Sequence, residues 1–245
     1  MFRHQGKSRT FKHNLQIAIV LSFVAGIVNT TGFLSLKQLT TNVTGHFAFF
    51  IYDISQLEFW KGAVYFFYVF SFLLGSFTSG FLIEIFKENK KINVFVIPTF
   101  LESSILIAVV VVVLHLLFEN QYPNAMACML LFAMGLQNSF VTKISDAVVR
   151  TTHLTGLFTD LGIDLSLLFF PKSHPNKQRI ISSIKLRIYI ISFFFLGGII
   201  GGLLYIKANF NLYTLIVATF ILISSLFYDD FRYKVIKVKR KKHTH

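Results

Sequence analysis

Six apolar stretches, each long enough to cross the hydrocarbon of a lipid bilayer, alternate with short polar and basic segments along this chain. Only 14% of the residues are charged, whereas soluble domains carry roughly 25%. The sequence therefore predicts an all-α, polytopic membrane protein with about six transmembrane helices. The expected spans cover approximately residues 15–36, 62–86, 94–118, 125–141, 188–206 and 212–228.

The basic residues predict how the chain is oriented, because Lys and Arg are enriched on cytoplasmic segments. With six spans and a cytoplasmic N-terminus, 21 of the 24 basic residues lie on the cytoplasmic side. If two further apolar segments, residues 44–57 and 154–170, also crossed, the division would be 17 against 7. We therefore expect six spans and two cytoplasmic termini. The expected parts are a basic N-terminal segment, a membrane domain and a basic tail, at residues 1–14, 15–228 and 229–245.

The net charge of +13 would be typical of a nucleic-acid-binding protein if the chain were soluble. In a membrane protein, basic ends and loops instead mark the cytoplasmic side and can contact anionic lipids. The expected partners are thus the lipid bilayer and an unknown small solute or ion, not nucleic acid, and a homo-oligomer is left open. The single cysteine, Cys128, excludes a disulfide framework and Cys-based metal sites, and we expect no metal and no cofactor.

One motif occurs twice. Residues 40–45, Thr-Thr-Asn-Val-Thr-Gly, return as residues 151–156, Thr-Thr-His-Leu-Thr-Gly, at a shift of 111 (156 − 45). Seven of the sixteen positions from 40 to 55 are identical in the two copies, where unrelated sequences would share roughly one. Upstream, Gly-x-x-Asn also repeats, ending at Asn29 and at Asn138. Because three spans separate the copies, the second half is predicted to be inverted. The two three-helix repeats then cover about residues 15–118 and 125–228.

The repeated motif predicts a broken or re-entrant helix in each half. Glycine admits unusual backbone angles, and threonine hydroxyls can cap the half-helix that follows and leave its positive end pointing into a site. Discontinuous helices at corresponding places of inverted repeats locate the solute sites of secondary transporters. The candidate residues are Thr44, Gly45, Thr155 and Gly156.

Acids and amides near the motifs are further candidates. Asp53 and Asp164 each follow a motif glycine by eight residues, and Asp160 lies on the same helical face as Asp164. An acid in an apolar setting usually faces a cavity or a partner, and two neighbouring carboxylates can share a proton. The amides of Asn29 and Asn138 could bind a ligand or only join helices. The alternative for the three acids is that they lie on the protein surface.

Four segments, residues 25–34, 41–45, 134–138 and 150–156, together resemble the YoaK family of bacterial inner-membrane proteins, a family of unknown function. The likeness covers about residues 15–228 and is most specific in Met-Gly-x-Gln-Asn and Arg-Thr-Thr-x-x-Thr-Gly. It implies a multi-pass protein of the bacterial inner membrane and does not indicate a substrate.

Two positions affect how symmetric the site can be. The first copy departs from the family pattern, because it has Asn42 before its Thr-Gly pair and His46 after it. Arg150 fits the pattern, but Leu39 stands at the corresponding place in the first copy. The predicted site is therefore asymmetric, and Arg150 is expected to form an ion pair with Asp160 or Asp164. The candidate binding residues are then Asn29, Thr44, Gly45, Asp53, Asn138, Arg150, Thr155, Gly156, Asp160 and Asp164.

These features favour a small transporter or permease in which the two motifs meet near the midplane and the acids bind a proton or cation. The alternative is a non-transporting membrane scaffold or assembly factor, in which the repeat only serves packing. A distant third is an intramembrane aspartyl protease that would use Asp53 and Asp164, although Ile163 replaces the glycine expected before the second acid. Because the chain has no nucleophile elbow, phosphate-binding loop or His-Glu-x-x-His sequence, we expect no enzymatic activity.

Overall fold

The computed structural model describes residues 10–86, 96–116, 122–170 and 176–242, with side chains omitted at 113–116 and 229–242. Across these ranges the chain forms eight α-helices, a short 3-10 turn at Asn211–Tyr213, and no strand. Most of the predicted basic N-terminal segment, residues 1–9, lies outside the described residues. The helices are α1 Phe11–Leu36, α2 Val43–Ser55, α3 Phe59–Phe86, α4 Val96–Leu116, α5 Pro123–Ile144, α6 Leu154–Leu167, α7 Lys177–Ile206 and α8 Thr214–Lys242.

Five segments are long and apolar enough to cross a membrane, namely α1, α3, α5, α7 and Asn211–Tyr228. The last of these consists of the 3-10 turn and the first part of α8. Helix α4 lies where the sequence predicts the third span, at residues 94–118. Its apolar part, Val96–Val112, is shorter than those of the five candidates. The 21 residues of α4 extend over about 31 Å. The prediction of an all-helical, polytopic membrane protein is confirmed. Helix α8 continues to Lys242, so the start of the basic tail prolongs the last helix.

Helices α2 and α6 are too short to cross. They have 13 and 14 residues, which is about 20 Å of helix against roughly 30 Å of hydrocarbon. Each follows a backbone break after a long helix. Lys37, just past α1, has φ 58°, and Asp146, just past α5, has φ 56°. These two residues correspond in the repeat at a shift of 109 (146 − 37), so both halves turn at the same place.

The two halves are interlocked. Helix α1 packs against α7 of the other half, and α5 packs against α3. A Cβ atom added at Gly26 would meet the carbonyl oxygen of Phe194, and one added at Gly135 would meet that of Phe72. Gly26 and Gly135 correspond at a shift of 109 (135 − 26), and Phe72 and Phe194 at a shift of 122 (194 − 72). The packing therefore has the exchange symmetry that a repeat predicts.

The remaining contacts follow the same symmetry. Helix α2 packs on α3 as α6 packs on α7, α4 covers α5 as α8 covers α1, and α4 and α8 contact each other. In the apolar windows of α1 and α5, 61% of residues are buried, against 22% in α3 and 17% in α7. Helices α1 and α5 thus form the core. Helices α3 and α7 present large apolar side chains such as Phe67, Phe77 and Phe195 to the outside, as lipid-facing helices do.

Candidate functional site

A cavity of about 660 Å³ lies where the two copies of the motif meet. It is lined by equivalent positions from both halves, because seven pairs of lining residues correspond in the repeat and Thr142 is the one addition. The structure thus brings together five predicted site residues, Asn29, Thr44, Asn138, Arg150 and Thr155. The seven pairs are Asn29/Asn138, Leu39/Arg150, Thr41/Thr152, Asn42/His153, Val43/Leu154, Thr44/Thr155 and Phe72/Phe194.

A hydroxyl–amide hydrogen bond holds each motif to the long helix before it. Thr41 Oγ1 donates to Asn29 Oδ1 at 2.9 Å, and Thr152 Oγ1 donates to Asn138 Oδ1 at 2.8 Å. The asparagine oxygens are therefore occupied, and their amide N–H groups remain available. Asn138 Nδ2 is buried and has no hydrogen-bond partner within the described part of the chain.

The first threonine of each motif is buried and ties the motif to the core. Thr40 Oγ1 donates to the carbonyl oxygen of Val28 at 3.4 Å. Gln137 Nε2 donates to Thr151 Oγ1 at 3.1 Å and to the carbonyl oxygen of Leu21 at 3.0 Å. Because Val28 and Gln137 correspond in the repeat, both motifs are anchored at the same place on α1 and α5.

The predicted capping role of the threonines is wrong. The side chain that caps α2 is Asn42, whose Oδ1 accepts from the backbone N–H of Gly45 at 3.0 Å. The N-cap of α6 is His153, and its side chain makes no capping hydrogen bond. The threonine hydroxyls are engaged with the long helices or face the cavity, so they are not free to cap.

Gly45 and Gly156 also act differently from the prediction. Both lie in the first turn of a helix and neither has a left-handed φ, so they do not break the helix. A Cβ atom at Gly156 would strike the ring of His153, and one at Gly45 would lie 3.1 Å from Asn42 Nδ2. The glycines make room for the N-cap side chain, while the backbone break occurs several residues earlier.

The three predicted acids, Asp53, Asp160 and Asp164, do not line the cavity. In both short helices an acid follows the third motif threonine by nine residues, from Thr44 to Asp53 and from Thr155 to Asp164. In a continuous helix this spacing is about 14 Å. Asp53 and Asp164 therefore lie toward the far ends of α2 and α6, and Asp160 lies in the middle of α6.

Asp164 and Asp160 are paired with Arg187 of α7, and not with Arg150 as predicted. The Arg187 guanidinium contacts Asp164 and the hydroxyl of Ser183, and it lies 3.4 Å from Asp160. Sequence reasoning missed Arg187 because it placed the start of the span at residue 188 and so assigned Arg187 to a loop. Helix α7 begins eleven residues earlier, at Lys177 (188 − 177).

Asp53 is only 8% exposed. It packs against the start of α3, where a Cβ atom at Gly62 would lie 3.6 Å from its own Cβ. The structure thus gives Asp53 and Asp164 different neighbours on different helices, Gly62 of α3 and Arg187 of α7.

His46 is a structural residue of the first motif. Its Nε2–H donates to the carbonyl oxygen of Leu39 at 2.7 Å, because a carbonyl oxygen can only accept. The ring packs edge-on against Tyr68, with the centroids 5.0 Å apart. Burial lowers the pKa of His46, so the neutral ring is favoured near pH 7. Across the described residues, no group of three His, Cys, Asp or Glu side chains is placed to hold a metal ion.

The electrostatics of the cavity are positive. Arg150 carries the one full charge among the described residues that line it, and no carboxylate lines it. The first residues of α2 and α6, Val43, Thr44, Leu154 and Thr155, also line it. The N-terminal end of a helix has free N–H groups and a partial positive charge. The cavity is therefore suited to accept negative charge.

Comparison with known proteins identifies the family. No curated protein and no solved structure matches this chain significantly. One family model matches residues 17–228, which include both repeats, both motifs and every residue that lines the cavity. This match is consistent with the resemblance seen in the motifs. The chain therefore belongs to the DUF1275 family of proteins of unknown function.

Proposed function

We propose that this protein is a small membrane transporter or permease and that its solute binds in the cavity between the two motifs. The observation that carries the proposal is the lining of one cavity by seven pairs of repeat-equivalent residues. Non-helical backbone is tolerated at membrane depth where it is buried in protein or lines a water-filled space. A site on the axis between inverted halves can be exposed to either side of the membrane by rocking one half against the other.

The alternative is a scaffold or assembly factor. It is supported by the tight glycine contacts, which are sufficient to explain why α1 and α7 are held together. A scaffold, however, has no need for a cavity lined by hydroxyls, amides and helix ends. The proposal includes no enzymatic activity. The pairing of Asp164 with Arg187 argues against an aspartyl protease, which needs two aspartates facing each other.

We further propose that the protein resides in a bacterial inner membrane, with both termini cytoplasmic. This orientation would place the second half upside down relative to the first, because α1, α3 and α4 each cross once. The bilayer and a small solute are then its partners, and a homo-oligomer is compatible with the exposed apolar surface of α3 and α7.

Cysteine labelling distinguishes a wet cavity from a packed scaffold. In a Cys128→Ala background, Thr44→Cys and Thr155→Cys are expected to react with a water-soluble maleimide in membrane vesicles, because both side chains are exposed in the cavity. The matched control is Ala133→Cys in the same background, which is fully buried in α5 and should remain unmodified. If the two motif cysteines are as inert as the one at position 133, the scaffold alternative is favoured.

Transport itself is tested by uptake. A deletion strain and the same strain carrying the wild-type gene are compared over many compounds. Any solute whose uptake depends on the gene is then measured with Thr155→Trp, which should block the cavity, and with Gly162→Ala. The latter lies on the same helix, where an added Cβ atom meets nothing within 4 Å, and should retain uptake. A gene-dependent solute whose uptake survives Thr155→Trp would place its pathway elsewhere.

A further inference from the structure

Arg150 is a charged side chain that is exposed to solvent. It lines the cavity, and within the described residues no carboxylate lies at ion-pair distance from it. The basic residues Lys61, Lys143 and Arg187 do have such partners. An arginine inside a membrane domain normally pairs with another group or serves a ligand. Its planar guanidinium binds an oxyanion through two parallel hydrogen bonds.

Two further donors lie in the same half of the cavity as Arg150. Asn138 Nδ2 is buried without an acceptor, because Thr152 occupies the oxygen of the same amide. The N-terminal end of α6 lacks a side-chain cap, since His153 makes no capping bond. The N–H of Leu154 donates to the carbonyl oxygen of Thr152 at 3.0 Å, and the following N–H groups of the first turn have no side-chain cap. These donors, together with the positive helix end, favour an anion.

The corresponding positions of the first half differ in each respect. Leu39 is the residue that corresponds to Arg150 in the repeat, and Asn42 caps α2 by accepting from the backbone N–H of Gly45. Asn29 accepts from Thr41 as Asn138 accepts from Thr152, but the amide nitrogen of Asn29 is not one of the buried atoms that lack a hydrogen-bond partner. Leu39 instead contributes apolar surface, next to Val43. The cavity thus has one side that suits negative charge and another that suits hydrocarbon.

We infer that the solute is a small organic anion, whose carboxylate, sulfate or phosphate group pairs with Arg150 at the N-terminal end of α6 and whose carbon body lies against Leu39 and Val43. The inference rests on the proposed function and specifies its substrate class. It replaces a proton or cation as the ligand of this cavity, because none of the described residues that line the cavity carries a carboxylate to balance a bound cation. The volume of about 660 Å³ is within the range of sites for small organic ligands.

Charge-selective modification tests this assignment. Thr44→Cys in the Cys128→Ala background is reacted with sulfonatoethyl methanethiosulfonate, which is anionic, and with trimethylammonioethyl methanethiosulfonate, which is cationic. Each rate is divided by the rate of the same reagent with a free thiol in water. The anionic reagent is expected to be favoured. Arg150→Gln should lower the anion-to-cation ratio by roughly five- to tenfold, as expected for removing a unit charge nearby in a partly hydrated site.

Three controls accompany this measurement. Arg150→Lys keeps the charge and should keep most of the preference, which separates a charge effect from misfolding. Lys207→Gln removes a charge that does not line the cavity and should leave the ratio unchanged. The neutral reagent methyl methanethiosulfonate reports accessibility alone. If it also fails to react, the wet cavity is absent and both proposals fail. If it reacts but the cationic reagent is preferred, or Arg150→Gln changes nothing, only the anion assignment is overturned.

Protection from labelling identifies the anionic group. Sodium butyrate, sodium methyl sulfate and sodium methyl phosphate are each tested for slowing the reaction of the neutral reagent, with choline chloride as the cationic comparison. At least one of the three anions should slow labelling in the Thr44→Cys protein and lose this effect with Arg150→Gln. Protection by choline, or by none of the three anions, would contradict an organic anion as the solute.

Discussion

Gly75→Ala is expected to lower the thermal midpoint of the purified protein by roughly 3–10 °C, because overpacking costs about 1–3 kcal/mol in a chain of this size. A Cβ atom at Gly75 would collide with the carbonyl oxygen of Phe132 on α5, and a backbone atom can move away only if the two helices separate. The measurement is a thermal unfolding curve in detergent, followed by intrinsic fluorescence or by the size of the soluble fraction.

The matched control is Gly80→Ala on the same helix. There an added Cβ atom meets only Ser139 Oγ, at 3.8 Å, and alanine is the better helix former by about 1 kcal/mol. The midpoint should therefore stay the same or rise slightly. The second copy of the repeat offers the same comparison. Gly197→Ala collides with the carbonyl oxygen of Phe23, whereas Gly202→Ala meets Thr30 Cγ2 at 3.5 Å. Equal effects at Gly75 and Gly80 would show that the interlocked packing does not limit stability.

Arg187→Gln is expected to destabilise the protein by about 2–4 kcal/mol, since removal of one member of a mostly buried ion pair leaves its partner uncompensated. The side chains of Arg187 and Asp164 are only 20% and 15% exposed. The comparison variant is Lys143→Gln, which breaks a pair with Glu84 whose side chains are 38% and 56% exposed. That change should cost about 1 kcal/mol or less. Both are measured as free energies of unfolding in a mild denaturant.

The double variant Arg187→Gln/Asp164→Asn separates a structural from a functional role of Asp164. Replacing both charges by neutral groups should recover most of the lost stability, because the carboxylate that remains without Arg187, that of Asp160, is 52% exposed to solvent. If the recovered protein also takes up its solute normally, Asp164 only holds α6 to α7. A stable double variant that has lost uptake would restore the prediction that this acid takes part in coupling. If Arg187→Gln costs no more than Lys143→Gln, the pair does not anchor α6.

The structure brings the two copies of the motif to one cavity, as the repeat predicts. Thr41 and Thr152 have equivalent hydrogen bonds to Asn29 and Asn138, so identical residues in the two halves make identical contacts. The two copies have the same local structure and lie on either side of one cavity. Sequence comparison within one chain was therefore sufficient to predict that Thr44 and Thr155 face a common space.

The prediction of which residues carry charge in the site failed for a geometric reason. Distance along a sequence converts to distance in space only if the backbone conformation is known. The acids were expected near the motif because the chain was thought to break at Gly45 and Gly156. It breaks instead at Lys37 and Asp146. The following residues form continuous helices, so Asp53 and Asp164 lie about 14 Å along the helix from Thr44 and Thr155.

Arg187 illustrates a different limit. Its pairing with Asp164 joins α6 to α7 across 23 residues of sequence (187 − 164). Part of that connection, residues 171–175, is not described by the structure. No local pattern predicts which cation an acid will meet when the two lie on separate helices. The unpaired state of Arg150 is likewise a property of the assembled fold, since the sequence offered it two nearby acids.

The sequence by itself determined that this is a helical membrane protein with several spans and that its two halves share one plan. These follow from length, hydropathy and internal repetition, which are properties of the chain read in one dimension. Only the tertiary structure decided that Arg187 pairs with Asp160 and Asp164 and that Arg150 has no carboxylate partner among the described residues. Charge balance depends on distances between side chains of different helices, and those distances exist only once α1 and α5 have packed against α7 and α3.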